Sequence, residues 1–223
     1  MNKVLESSGI LIPRTWTGER PNLIAEESSS YRFVTKGRFG SASRGLRFVG
    51  RADLSQAIDS ASLEVTNRYG ILAPLQDEYA PSELVIVQEE IRGTEFGLDV
   101  VCDLHRDFSC VFARRKIAMR NGETDRAESV RADEFVDVAK RIAKAVPHAG
   151  SIDVDVIRNE NGDIYVIDIN PRFGGGYPFS HLAGAHSPAL YVAWKSSSTV
   201  KREWMTYQPG VIGGKYVEAV AVP

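Results

Sequence analysis

Apolar and polar residues alternate most strictly between Ser151 and Arg172. There Ser-Ile-Asp-Val-Asp-Val-Ile-Arg runs into Asn159-Glu-Asn-Gly and out through Asp163-Ile-Tyr-Val-Ile-Asp-Ile-Asn-Pro-Arg. Period-two alternation predicts two strands, and Asn161-Gly162 between them is a strong two-residue hairpin signal. That turn sets Asp155 opposite Asp168 and Asp153 opposite Asn170. All four side chains then share one face, while Val154, Val156, Ile167 and Ile169 point to the other. A four-residue loop from Asn159 to Gly162 shifts the partners but keeps the acids together.

The same reading extends along the chain. Asn2 to Ser8 predicts a short helix stopped by Gly9, and Tyr31–Lys36 and Leu46–Val49 predict strands around a loop. Helical spacing of Leu54, Ala57, Ile58, Ala61 and Val65 predicts a helix from Asp53, its cap, to Tyr69. Ala73 to Ser82 carries two prolines and reads as loop, followed by strands at Leu84–Glu89, Glu95–Asp103 and Ser109–Met119. Arg131 to Val146 is an amphipathic helix burying Phe135, Val138, Ala139, Ile142, Ala143 and Val146. Pro188–Lys195 is helical, and a last strand runs over Gly214–Val222. Helices packed on antiparallel hairpins give an α+β chain. The proline-bearing loop suggests two lobes, residues 1–83 and 84–223.

Composition narrows the function classes. The 223 residues are 43% apolar and 25% charged with net charge −2, so no sequence-wide basic field draws the chain to nucleic acid or anionic membrane. The longest apolar runs are strand-sized, far short of a membrane span, and Met1 to Gly9 lacks the apolar core of a signal peptide. Cys102 and Cys110 flank a predicted turn at His105–Asp107 and read as reduced thiols of a cytoplasmic protein.

Same-face neighbours on paired strands have Cβ atoms about 4.5–5.5 Å apart, so clustered like charges repel unless something positive sits on them. Oxygen-only ligands with an amide nearby suit magnesium, or manganese in its place; an acidic solvated sheet face fits the same pattern. Pro171-Arg-Phe-Gly-Gly-Gly176 adds a guanidinium suited to phosphate oxygens and a glycine run beside it. Thr35-Lys-Gly-Arg-Phe-Gly-Ser-Ala-Ser-Arg-Gly-Leu46 lacks the Lys-Ser/Thr of a P-loop and leads into a strand. As a strand–loop–strand flap it suits a triphosphate: Gly37, Gly40 and Gly45 admit backbone N–H groups, Ser41, Ser43 and Arg44 donate, and Lys36 is a point charge. A surface hairpin loop fits it too. Gln88, Glu89 and Glu90 end an apolar strand and offer polar groups to a base and ribose, or are simply polar strand ends. Alternation places Arg114, Lys116 and Arg120 on one face of the Ser109–Arg120 strand, to serve a phosphorylated intermediate or to pair with neighbouring acids.

In this order the segments Lys36–Gly45, Gln88–Glu95, Arg115–Thr124 and Ile167–Pro178 resemble the ATP-grasp superfamily, with a likeness to proteins similar to the large subunit of carbamoyl-phosphate synthase. The likeness spans nearly the whole chain, and it implies ATP held between two α+β lobes. It assigns Lys36 to phosphate and adenine, and Ser41, Ala42, Ser43, Arg44 and Gly45 to the triphosphate. Gln88, Glu89, Glu90 and the backbone at Ile91 take the adenine, and Glu95 the ribose. Asp155, Asp168 and Asn170 hold magnesium, with Asp168 where many relatives carry Glu; whether Asp153 joins them is open. Arg172 and Lys116 stabilise the transferring phosphoryl group.

The activity so implied is ATP- and Mg-dependent joining of a carboxylate to an amine through an acyl phosphate, with small-molecule substrates, Gly174–Pro178 and His181–Ser187 lining the acceptor side. Relatives also carry a preceding α/β domain and a further ATP-contacting lysine, which this chain, opening at Met1–Gly9, lacks. A partner chain or homo-oligomer completing the site is therefore expected, and a non-catalytic nucleotide-binding module is the competing reading.

Overall fold

The computed structural model describes residues 1–28, 32–38, 46–66, 78–120 and 122–217. In chain order its elements are α1 (Asn2–Ser7), β1 (Thr15–Thr17), α2 (Pro21–Glu27), β2 (Arg32–Gly37), β3 (Arg47–Gly50), α3 (Leu54–Thr66), β4 (Val85–Glu89) and β5 (Thr94–Cys102). There follow β6 (Phe108–Arg120), β7 (Glu123–Val130), α4 (Val136–Ala145), β8 (Gly150–Arg158), β9 (Ile164–Asn170), α5 (Tyr177–Leu182), α6 (Ser187–Lys195) and β10 (Ile212–Gly214). This is the expected α+β composition, built on two antiparallel sheets.

The chain divides into a smaller unit, Pro13–Ile91, and a larger one, Met1–Ile12 with Arg92–Pro223. This differs from a division at residue 83 for two reasons. Strand β4 pairs with β1 and β2, so it completes the sheet of the smaller unit. The first twelve residues belong with the larger unit, where Leu5 and Ile10 are buried in the core against Ile142 and Val166 and the Leu11 carbonyl accepts the Val166 N–H at 2.9 Å. Helix α1 ends as expected at Gly9, whose φ of +68° is the left-handed turn that stops a helix.

In the smaller unit the strand order is β1-β4-β2-β3. The apolar stripe of α3 (Leu54, Ile58, Ala61) closes over Phe33, Val85 and Val87. A 3-10 turn, Arg51–Asp53, precedes α3, so Asp53 lies inside the opening turn rather than capping it. The helix is described to Thr66; its expected end at Tyr69, the loop over 73–77 and residues 218–222 lie outside the described residues, while the last strand lies earlier than expected, at Ile212–Gly214, with Lys215–Val217 outside it.

In the larger unit the order is β10-β7-β6-β5-β8-β9. One face of this sheet, carrying Phe96, Leu98, Val100, Ala113, Val154 and Val156, packs against Phe135, Ala139, Ile142 and Ala143 around and within α4. The turn joining β5 to β6 forms because Asp103 Oδ1 accepts the N–H groups of His105 (2.8 Å) and Asp107 (3.0 Å), with Arg106 left-handed at φ +72°. Cys102 and Cys110, beside it, are free thiols. Short elements absent from the sequence reading are β1, α2, β7 and α5.

The β8–β9 hairpin reaches the expected acid pairing by another route. Asp155 lies opposite Asp168 and Asp153 opposite Asn170, but the outer half pairs Val156 with Val166 and Arg158 with Ile164. Asn159 pairs with Asp163 around a three-residue loop whose Gly162 is left-handed at φ +88°, and a one-residue step between Asp155 and Val156 absorbs the difference. Val166 rather than Ile167 therefore enters the core beside Val156.

Candidate active site

Opposed residues on paired strands point the same way, so the register defines what the second face of the larger sheet carries. Gly97 lies opposite both Arg114 and Asp155, Asp99 opposite Asp153, Asp155 opposite Asp168, and Asp153 opposite Asn170. Four strands thus contribute one continuous polar face, its back sealed by the apolar core.

Its innermost part is a buried ion network. The Arg114 side chain is 1% exposed, with Nη1 2.7 Å from Asp99 Oδ2 and Nη2 2.7 Å from Asp153 Oδ1. Ser180 Oγ donates to the same Asp99 oxygen at 2.6 Å. Glycines make the room. A Cβ on Gly97 would stand 2.9 Å from the guanidinium, one on Gly176 2.1 Å from Arg114 Nε, and one on Gly174 2.2 Å from the Asp153 carboxyl carbon. None of Gly174, Gly175 and Gly176 has a positive φ. Gly174 and Gly176 are therefore glycine for close approach and not for turn geometry; they lie as a tight cover on the Arg114–Asp153 pair.

Burial pushes the Asp153 carboxyl up to about 6 from an ordinary 3.8, more than the adjacent Arg114 lowers it, with Asp155 and Asp99 adding to the rise. A folded-state value above the unfolded one contributes stability below about pH 4 that is lost as pH rises through about 6. Relative to Asp153→Asn, the wild-type chain should lose roughly 2–3 kcal/mol between pH 4 and 7. Urea unfolding of both proteins at the two pH values, without divalent metal, measures this. If the wild type instead gains on the variant, attraction to Arg114 outweighs burial.

Toward the open end of the face, Lys116 Nζ stands 2.6 Å from Glu95 Oε1 and 2.7 Å from Asp155 Oδ1, its side chain only 6% exposed. Asn170 Nδ2 donates to Asp168 Oδ2 at 2.9 Å on the partly exposed strand β9. Arg172 follows a tight turn in which its N–H donates to the Asn170 carbonyl at 2.8 Å, and its side chain is largely exposed, Nη1 lying 3.7 Å from Asp153 Oδ2. The larger unit thus brings together Glu95, Lys116, Asp155, Asp168, Asn170 and Arg172. Asp155, Asp168 and Asn170 make a hard-oxygen set of two carboxylates and an amide, which fits magnesium. Asp153 gives Oδ1 to Arg114, with Oδ2 turned toward Arg172. Beyond Arg172, Phe173 meets Tyr177 edge to face (5.0 Å between centroids), whose hydroxyl accepts the Ser187 N–H at 3.1 Å, and the His181 and His186 rings meet edge to face at 4.5 Å.

The smaller unit treats its candidates separately. Lys36 on β2 lies opposite Ile86, and Val34 opposite Gln88, so Lys36 and Gln88 share one sheet face. Gln88 is buried and its Nε2 donates to Thr15 Oγ1 at 2.9 Å. Glu89 alternates to the other face, where Ser28 Oγ donates to it at 2.8 Å, while Glu90 pairs with Arg32. Ile91 follows the strand. Ser41, Ala42, Ser43, Arg44 and Gly45 lie outside the described residues.

Asp99 and Ser180 escaped sequence reasoning as members of the network. Yet Glu95, Gly97 and Asp99 alternate with Phe96, Leu98 and Val100, a visible period-two signal of a polar face.

A family model described as an ATP-grasp domain matches residues 1–176. Acetyl-CoA carboxylase 1 of Oryza sativa subsp. japonica is 24% identical over 172 residues, covering 73% of this chain and 7% of that protein. The biotin carboxylase–βγ-ATP complex from Campylobacter jejuni superposes with a TM-score of 0.72 at 17% identity, over 94% of this chain and 48% of that one. The biotin carboxylase domain of the 2-oxoglutarate carboxylase from Hydrogenobacter thermophilus, in complex with MgADP, ADP and bicarbonate, gives 0.70 at 14% identity, over 94% and 47%. The chain thus spans about half the length of the solved relatives and a small part of the curated one.

Proposed function

Since this chain belongs to the ATP-grasp family, we propose that it forms the core of an ATP- and magnesium-dependent ligase that activates a carboxylate as an acyl phosphate and passes the acyl group to an amine. The observation that carries this reading is the single polar face on which Lys116, Asp155, Asp168, Asn170 and Arg172 converge. Phosphoryl transfer asks little of a protein beyond positioning and charge neutralisation, and two cations beside a carboxylate pair supply both.

Magnesium bound by Asp155, Asp168 and Asn170 would neutralise phosphate charge. The chain's own groups do the rest. Arg172, exposed and turned out of the strand, clamps phosphoryl oxygens through its fork of N–H donors. Lys116 adds a point charge that stabilises the same group as it moves to the carboxylate. Glu95, holding Lys116 through Oε1, keeps Oε2 for a ribose hydroxyl. In the smaller unit Lys36 is assigned to phosphate and adenine. Gln88, Glu89, Glu90 and the Ile91 backbone are assigned to the base, with Glu89, engaged by Ser28, acting through its main chain. The triphosphate falls to residues 41–45. The ring-lined segment from Phe173 to Ser187 faces the acceptor, a small-molecule carboxylate and amine.

Calorimetric titration with a non-hydrolysable ATP analogue tests the reading. Binding should require magnesium and weaken at least about tenfold in Asp168→Asn, the loss of one charged ligand. Magnesium-independent binding, or binding equal in both proteins, would leave the carboxylates with no metal role. Magnesium-dependent binding without phosphate release from ATP across carboxylate–amine mixtures would favour a nucleotide-binding module.

A further inference from the structure

The carboxylate assigned to the metal is already held by a cation of the chain itself. Lys116 is nearly buried and sits between two acids, 2.7 Å from Asp155 Oδ1 and 2.6 Å from Glu95 Oε1. A buried ammonium cannot be left without a counter-charge, so a lysine with one partner would resist giving it up. This lysine has two. Of its carboxylates, Asp155 faces Asp168 across the hairpin, whereas Glu95 lies on β5 opposite Ile157 and outside the Asp168–Asn170 set. The geometry points to a handover, in which Lys116 is the resident counter-ion of Asp155, yields that carboxylate to the divalent cation, and stays paired with Glu95 while its released N–H donors turn to the phosphoryl group.

This rests on the assignment of Asp155 to the metal and adds a coupling to it. An ammonium and a divalent cation on one carboxylate repel strongly at such distances. Metal entry therefore frees Lys116, and an anion that engages Lys116 frees Asp155. By linkage each event favours the other, so metal and phosphoryl anion bind cooperatively even though the lysine opposes the metal alone. The arrangement also keeps a bare cation site from filling before nucleotide arrives.

Manganese binding to the full chain without nucleotide, followed by the EPR signal of the free ion, tests this. Lys116→Met should bind Mn2+ about tenfold more tightly than wild type. Lys116→Arg should bind it several-fold more weakly, because a planar fork grips both acids at once. Arg120→Met removes the same charge from an exposed side chain that pairs with half-buried Asp125, and should shift affinity less than about twofold. Unchanged or weaker binding in Lys116→Met overturns the handover, as does wild-type affinity in Lys116→Arg, which also decides the matter if the methionine variant does not fold. Asp155→Asn separates the two readings. If it leaves Mn2+ affinity unchanged, the metal assignment itself fails; if it weakens binding while Lys116→Met does not tighten it, only the handover does.

Discussion

Replacing Arg114 by leucine should destabilise the larger unit by about 3–5 kcal/mol, because it strands two buried carboxylates, Asp99 and Asp153, beside one another. A buried ion pair contributes little net stability over an apolar substitute, yet removing one partner exposes the whole desolvation cost of the other. The network is also imperfect: Arg114 Nε and Asp99 Oδ1 are buried without a hydrogen-bond partner among the described residues. The damage should lessen as pH falls and Asp153, which burial already holds above the ordinary carboxylate range, takes up a proton. Chemical unfolding at pH 7 and 5 measures both effects, with Arg115→Leu as the contrast. Arg115, one residue on and half-exposed, pairs with Glu128 at the surface and should cost below about 1 kcal/mol. Equal effects at the two arginines would mean that the network is as well solvated as a surface pair.

Gly176→Ala should cost about 3 kcal/mol, at the upper end of overpacking effects, since its methyl group would enter the space of Arg114 Nε at 2.1 Å. Elsewhere a long side chain could swing away. Here the guanidinium is held by two carboxylates and closely approached by Gly97 as well, so the backbone after Arg172 must lift instead. Lifting it displaces Arg172, and the affinity for an ATP analogue should fall with stability. Gly175→Ala is the internal control: its nearest neighbours, Glu123 Oε2 at 3.5 Å and Lys215 Nζ at 3.7 Å, leave room for a methyl group, and both properties should stay near wild type. A Gly176→Ala protein melting within about 2 °C of wild type would show that the cover is loose, against the roughly 10 °C expected for a chain of this size.

Much of this fold was legible because alternation is a local signal. The residues of β5, β6, β8 and β9 declare their faces by period two, and α3 and α4 their buried stripes by helical spacing, so the shared face of Asp155 and Asp168 followed from side-chain parity, whereas their direct pairing rests on the loop and the one-residue step together. Strand β7 was invisible for the complementary reason. Its sequence, Glu-Thr-Asp-Arg-Ala-Glu-Ser-Val, buries Thr124, Ala127 and Ser129, which are small or polar, and it becomes a strand by lying between β6 and β10. Family membership was legible from the order of four motifs rather than from any one, and the family match agrees with it. Which acid each cation takes was not legible. Parity places Arg114 and Lys116 on one face, but their division between Asp99–Asp153 and Glu95–Asp155 depends on the hollow over Gly97, a property of four strands at once.

The one-residue step in the β8–β9 hairpin has a consequence for how this protein can vary. Val166 and Ile167 are both apolar, so the outer half of the hairpin could shed its bulge, close with a two-residue turn and present Ile167 to the core in place of Val166. The inner half would not notice. On one side of the step lies a segment with two nearly equivalent solutions, open to insertion, shortening or drift at the loop. On the other lie Asp153, Asp155, Asp168 and Asn170, whose partners are the same in either solution. The bulge thus works as a slip joint between the part of the hairpin that chemistry holds still and the part that evolution or an engineer is free to rebuild.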